Sequence, residues 1–175
     1  MSKPCSTLPD PIESKANFVS ALEQIGTEID HQPLRSSALA RIMRETFLGS
    51  DAGGAWDWRK AYDLMQAAAV QALLRGDNSE DDYYAAKLLA SRLLTETRRS
   101  EQQIRLQQFS TPLPFAALTV RAAAIRKGET VLEPSAGTGA PAAFAARAGA
   151  TLLLNEIDPF RQRLLRAVFG GEVTG

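Results

Sequence analysis

Gly137, Gly139 and Ala142 stand in the pattern G-x-G-x-x-A within VLEPSAGTGAPA. The apolar stretch Thr130-Val131-Leu132 precedes them and helix-forming sequence follows. Small residues at that spacing let the backbone turn tightly and approach a bound group. The helix start adds N–H donors and partial positive charge. No lysine follows the loop, which excludes a nucleotide-triphosphate phosphate loop. An acid about 20 positions further on is the group expected to accept from ribose hydroxyls. Glu156, in the run NEID, fits that place, and Asp158 is the alternative.

A glycine loop with a distant acid suits a dinucleotide or S-adenosylmethionine (SAM). Glu133, at the mouth of the first strand, favours SAM. A pyrophosphate would be repelled by a carboxylate there, whereas SAM brings an ammonium and a sulfonium, both cationic. The residues therefore point to SAM as cofactor.

The rest of the composition narrows the field by exclusion. The 175 residues carry 20 Lys/Arg and 20 Asp/Glu, so whole-chain charge makes no case for a nucleic-acid or membrane partner. With one cysteine, Cys5, and one histidine, His31, no disulfide framework or metal cluster is expected within the chain. No apolar run approaches a membrane span and the first residues lack a secretory pattern. The expectation is a soluble, cytoplasmic protein with no membrane association.

The elements that must position the loop follow from periodicity. Residues 1–11 read as a flexible arm, 12–108 as a helical domain and 109–175 as a partial cofactor-binding domain. Phe18, Leu22 and Ile25 share a helix face. Pro33 suits a first helical position and Gly49 a stop. A helix is expected over about 56–75, with Leu64, Ala68 and Ala72 on one face and Gly76 ending it. Ser79 is the expected N-cap of a long helix over about 80–108. Pro112 and Pro114 are expected to break helix, with helix resuming over 118–125. Then come a strand at 130–132, a helix at 142–147, a strand at 151–154, a helix at 160–168 and the start of a third strand at 172–174. The fold class is α/β: an N-terminal α-helical region followed by an incomplete Rossmann-like SAM-binding fold, β-α-β-α.

On these residues the chain resembles the class I SAM-dependent methyltransferases, in the form typical of adenine-N6 DNA methylases. VLEPSAGTG is similar to their first motif, Gln108-Phe109-Ser110-Thr111-Pro112 to the preceding aromatic-Thr-Pro motif, and NEIDP to the following one. The three occur in the family's order and spacing, over about 108–159. A narrower likeness is to the methylase half of methylase–helicase proteins related to strawberry notch. The resemblance implies that Phe109, Ser110 and Thr111 border the methionine end of SAM. It implies that Glu133, Ser135, Ala136, Gly137 and Gly139 line the loop side, Glu156 holds the ribose, and Ile157 packs against the adenine. It implies DNA as a partner and a fused or split helicase or methylase remainder.

The family's catalytic motif, an acid or Asn followed by Pro-Pro and an aromatic, stacks on a flipped base. No Pro-Pro pair occurs in this sequence. No catalytic residue is therefore assigned, and the chain is expected to be one part of a truncated or split protein, inactive alone. Two other readings stand beside this one: a non-catalytic interaction or regulatory module, and a methyltransferase acting on RNA or protein.

Other residues invite chemistry but read more simply. Cys5 belongs to the arm and His31 to a helix end. Trp56, Trp58, Tyr83 and Tyr84 read as packing residues. Arg98, Arg99 and Arg105, interleaved with Glu96 and Glu101, read as a solvated helix face.

Overall fold

A computed structural model of the chain describes residues 15–76, 81–96 and 110–175. Among the described residues, four helices form the N-terminal part: α1 (Lys15–His31), α2 (Ser36–Thr46), α3 (Trp58–Arg75) and α4 (Asp82–Arg92). They are followed by α5 (Leu113–Ala122), β1 (Thr130–Glu133), α6 (Ala140–Arg147), β2 (Thr151–Asn155), α7 (Pro159–Phe169) and β3 (Val173–Thr174). The chain is thus a mixed α/β protein with a small parallel sheet.

Helix α3 is the hub. Asp57 caps its N-terminus by accepting from the Lys60 N–H at 2.8 Å, and Gly76 ends it. Ala61, Ala67, Ala68 and Ala69 are fully buried, and such small side chains let neighbouring helices approach its backbone closely. Helices α1, α6 and α7 all pack on it. One apolar core runs from the helical region into the α/β part, joining Phe18 of α1 to Phe160 of α7 with ring centroids 5.1 Å apart. Arg147, in the last turn of α6, donates to the carbonyls of Leu73 and Gly76 at 2.8 and 3.2 Å and pairs with Asp82 at 2.7 Å. It thereby helps satisfy the carbonyls at the C-terminal end of α3, where the Leu73 carbonyl also accepts from the Gly76 N–H.

Several helix boundaries differ from the sequence expectations. Pro33 lies in the α1–α2 connection, and α2 starts at Ser36 with Arg35 as its N-cap. Helix α4 ends at Arg92, not near 108, and Leu93 to Glu96 are not helical. Its N-cap is Asp81, whose carboxylate accepts from the Tyr83 N–H; Ser79 lies outside the described residues. Residues 110–112 are non-helical as expected at Pro112, but helix resumes at Leu113 rather than near 118 and takes in Pro114. Pro112 is the N-cap of α5 and Pro114 sits in its first turn, where a missing N–H costs nothing. Tyr84 is exposed, its ring edge-on to that of Tyr83, while Trp56 is buried and donates to the Gly49 carbonyl at 3.0 Å. Cys5, Arg98, Arg99, Glu101 and Arg105 lie outside the described residues.

The three strands are parallel in the order β1-β2-β3. Thr130 pairs with Thr151 and Glu133 with Leu154, so β1 and β2 end side by side. Leu154 and Val173 turn toward α6 and α7, burying against Ala142 and Leu165. Alternation sends Leu132 and its cross-strand partner Leu153 to the opposite face, where they are 64% and 53% exposed. Among the described residues no helix is long and apolar enough to cross a membrane.

Candidate cofactor site at the strand ends

The loop between β1 and α6 lies at the C-terminal ends of β1 and β2, the end at which open α/β sheets bind ligands. Its shape is fixed from three sides. The Ala136 N–H donates to the Asn155 carbonyl at 2.9 Å, and the Asn155 amide returns to the Pro134 carbonyl at 3.0 Å. The Gly139 N–H closes a turn onto the Ala136 carbonyl at 2.8 Å. Gly139 has φ +91°, and a Cβ there would stand 2.6 Å from Cε2 of Phe169 and 3.1 Å from Cδ2 of Leu165. Glycine is required at that position by both conformation and space.

Glu156 provides the third support. Its Oε2 accepts from the Gly137 N–H and its Oε1 from the Asp158 N–H, both at 2.8 Å. The side chain is buried and turned inward, onto the loop. A carboxylate oxygen can accept two hydrogen bonds, so beyond the two bonds described here Oε1 and Oε2 each have one further acceptor position, the number a ribose with two adjacent hydroxyls would use. Ile157, next along, is 75% exposed and offers an apolar side chain to a planar base. Asp158, the alternative ribose acid, is otherwise engaged. Its Oδ1 caps α7 by accepting from the N–H groups of Phe160 and Arg161, and its Oδ2 accepts from Arg59 at 2.8 Å. Burial alone would raise the Asp158 pKa, but the Arg59 bond and the two backbone donors bring it below the ordinary carboxylate value.

Glu133 presents a different environment. Burial pushes its carboxyl above the ordinary glutamate value, only partly countered by the Ser135 N–H. Among the described residues no lysine or arginine pairs with it. A half-buried anion without a cation, at the mouth of a ligand loop, is arranged to receive positive charge.

The preceding motif also reaches the loop. Thr138, buried at its tip, donates from its hydroxyl to the Ser110 hydroxyl at 3.4 Å. Thr111 is exposed beside Ser110, Ser135 is exposed and Ala136 is buried. Phe109 lies outside the described residues. Of the sites expected from sequence, Ser110, Glu133, Ser135, Ala136, Gly137, Gly139 and Glu156 thus border one loop, with Ile157 adjacent.

No family model, curated protein or solved structure matches this chain.

Sequence reasoning did not anticipate the side chains behind the loop. Arg161 in α7 gives two hydrogen bonds to Oδ1 of Asp63, from Nε at 3.1 Å and Nη2 at 2.8 Å, with both side chains 3% exposed. Arg59, one turn before Asp63, stands 3.9 Å from its Oδ2. Burial raises the Asp63 pKa against the pull of Arg161 and Arg59. Burial would likewise discharge Arg161, but Asp63, Glu156 and Asp158 together hold it charged. The forked contact is that of an ion pair. The only local hint was the Arg59–Asp63 spacing of four; the other partners lie 98 residues away.

Grooves also occur elsewhere. One of about 340 Å³ lies between α4, α5 and α6, and one of about 390 Å³ lies between α1 and α2 beside His31 and Arg41. Neither borders the glycine loop.

Proposed function

We propose that the chain binds SAM as part of a DNA adenine-N6 methyltransferase, which transfers the methyl group of SAM to a base. The observation that carries the reading is the pair of carboxylates at adjacent strand ends. Glu156 is bound to the loop's own Gly137 N–H, and Glu133, without a described cationic partner, stands at the end of β1. Anionic dinucleotides are disfavoured at such a pair, and a ligand with an ammonium and a sulfonium is favoured. The strand order β1-β2-β3, with helices between parallel strands, agrees with one half of a Rossmann-like sheet. The DNA acceptor, the adenine target and a fused or split helicase partner rest on the resemblance of QFSTP, VLEPSAGTG and NEIDP.

In this reading Glu156 accepts from the ribose hydroxyls, Ile157 covers the adenine, and Glu133 faces the cationic methionine end. No residue of the chain is assigned to the methyl acceptor. Titration calorimetry with SAM and with NAD tests the proposal: SAM binds and NAD does not. Equal or stronger NAD binding would defeat it.

The exposed Leu132–Leu153 pair on the far sheet face favours a second reading, a non-catalytic interaction module. Under it the chain binds no SAM and associates in light scattering; a SAM-binding monomer would count against it.

A further inference from the structure

The pairing of β1 with β2 ends at Glu133 and Leu154, and the next residue after β1 is Pro134, which has no N–H to continue a ladder. The side chain of Asn155 takes over there. Its Nδ2 donates to the Pro134 carbonyl at 3.0 Å, while its own backbone carbonyl accepts from the Ala136 N–H at 2.9 Å. One residue thus grips the loop on both sides of Ser135. A carbonyl can only accept, so the amide NH2 faces Pro134 and Oδ1 faces the other way. There the Thr174 hydroxyl of β3 lies 3.0 Å from Oδ1 and 3.3 Å from the Leu154 carbonyl. Asn155 and Thr174 are also register partners in the β2–β3 pair. The Asn155 amide therefore spans all three strand ends. In the chain, Glu133 adjoins the gripped Pro134 and Glu156 adjoins Asn155 itself. Glu156 has anchors of its own in the Gly137 and Asp158 N–H groups.

We propose that Asn155 is a positioning residue of the strand-end site: by bridging Pro134 to the ends of β2 and β3, its side-chain amide fixes where Glu133 stands relative to Glu156, and so selects ligands that carry a cationic end at a set distance from a ribose. Asparagine suits the task because one planar group offers a donor to the carbonyl and an acceptor to the hydroxyl. Aspartate would set a carboxylate against the Pro134 carbonyl, and alanine would leave that carbonyl without this donor. Because Glu156 is anchored separately, loss of the amide releases the Glu133 end of the site and spares the ribose end. The ligand clause rests on the SAM reading; the clamp clause does not.

The test uses the full chain and the variant Asn155→Ala. Amide hydrogen exchange at Ala136, whose N–H binds the Asn155 carbonyl, is followed relative to Val70, a fully buried core residue of α3. Global destabilisation moves both amides, whereas loss of the clamp accelerates Ala136 selectively. The expected result is a rise of about fivefold in the Ala136-to-Val70 exchange ratio, the net worth of one hydrogen bond. Calorimetry then compares SAM with methylthioadenosine, which has the nucleoside but neither the ammonium nor the sulfonium. SAM affinity should fall about fivefold, as when the Glu133 charge is removed, while methylthioadenosine stays within about twofold of its wild-type affinity. An unchanged exchange ratio would overturn the clamp. SAM and methylthioadenosine weakening together, or neither weakening, would overturn the positioning role. If Asn155→Ala does not fold, Asn155→Asp, which keeps the size and the acceptor for Thr174, decides the clamp by the same ratio: a selective rise supports it and an unchanged ratio overturns it. A wild-type chain that binds no SAM would refute the proposed function alone, because the exchange ratio still decides the clamp clause.

Discussion

Replacing Glu156 by alanine should damage the fold as well as any ligand site, and the size of the damage follows from two bonds. The Glu156 carboxylate accepts from the Gly137 and Asp158 N–H groups at 2.8 Å, in a buried position. Leaving a buried donor unsatisfied costs about 1–3 kcal/mol, so Glu156→Ala should lose about 2–6 kcal/mol of stability. Glu156→Gln keeps one acceptor oxygen but turns an amide NH2 toward the other donor, and should lose about half as much. Urea unfolding followed by circular dichroism measures both, with the shift read in the midpoint at constant slope. SAM affinity, measured well below the unfolding midpoint, should fall about 10- to 100-fold in the alanine variant, from the charge-assisted hydrogen bonds lost to the ribose. A Glu156→Ala chain as stable as wild type would refute the loop-holding role. An alanine variant of full SAM affinity would remove Glu156 from the ligand site while leaving the structural role intact.

Further outcomes follow from the same geometry. Gly139→Ala places a methyl against Phe169 and Leu165 at a backbone conformation of φ +91°, and should cost more than about 2 kcal/mol in the same unfolding assay. Glu133→Gln should stabilise the ligand-free chain near neutral pH, because a carboxyl with a raised pKa is costly to ionise in the folded state, and should weaken SAM about fivefold by removing about 1 kcal/mol of attraction. The sign with pH is fixed by that direction. The folded chain holds the Glu133 proton more tightly than the unfolded one, so this residue's contribution to stability falls as pH rises from the ordinary glutamate value through the raised one, while calorimetric SAM affinity rises over the same window. Asp158, with its lowered pKa, acts oppositely. It stabilises above the ordinary aspartate value and ceases to as pH falls through its folded value, so Asp158→Asn should flatten the acid limb of a stability–pH profile.

The sequence was most legible where backbone chemistry is local. Strands at 130–133 and 151–155 and helices at 140–147 and 159–169 fall within a residue or two of expectation, because glycines, strand formers and caps mark their ends. The glycine loop was readable because Gly137 and Gly139 both adopt positive φ, at +57° and +91°. Helix α4 was overextended because residues beyond Thr95 are good helix formers with little apolar periodicity to set a limit. Pro114 misled because proline disrupts a helix interior yet suits a helix start, and only the tertiary path decides which applies. Glu156 was placed at the right end of the right strand, but its two backbone donors were invisible, since one comes from a loop 19 residues earlier. The Asp63–Arg161 pair had no local signature at all, because buried ion pairs between distant elements leave no period in a sequence.

The central claim is that the loop at Gly137 and the two carboxylates beside it hold a cationic nucleoside. The direct measurement is calorimetric titration of the wild-type chain with SAM and NAD under identical conditions. Saturable SAM binding that weakens in Glu133→Gln and in Glu156→Ala, with no NAD binding, is the predicted result. Absence of SAM binding by a folded chain, or a preference for NAD, would contradict it.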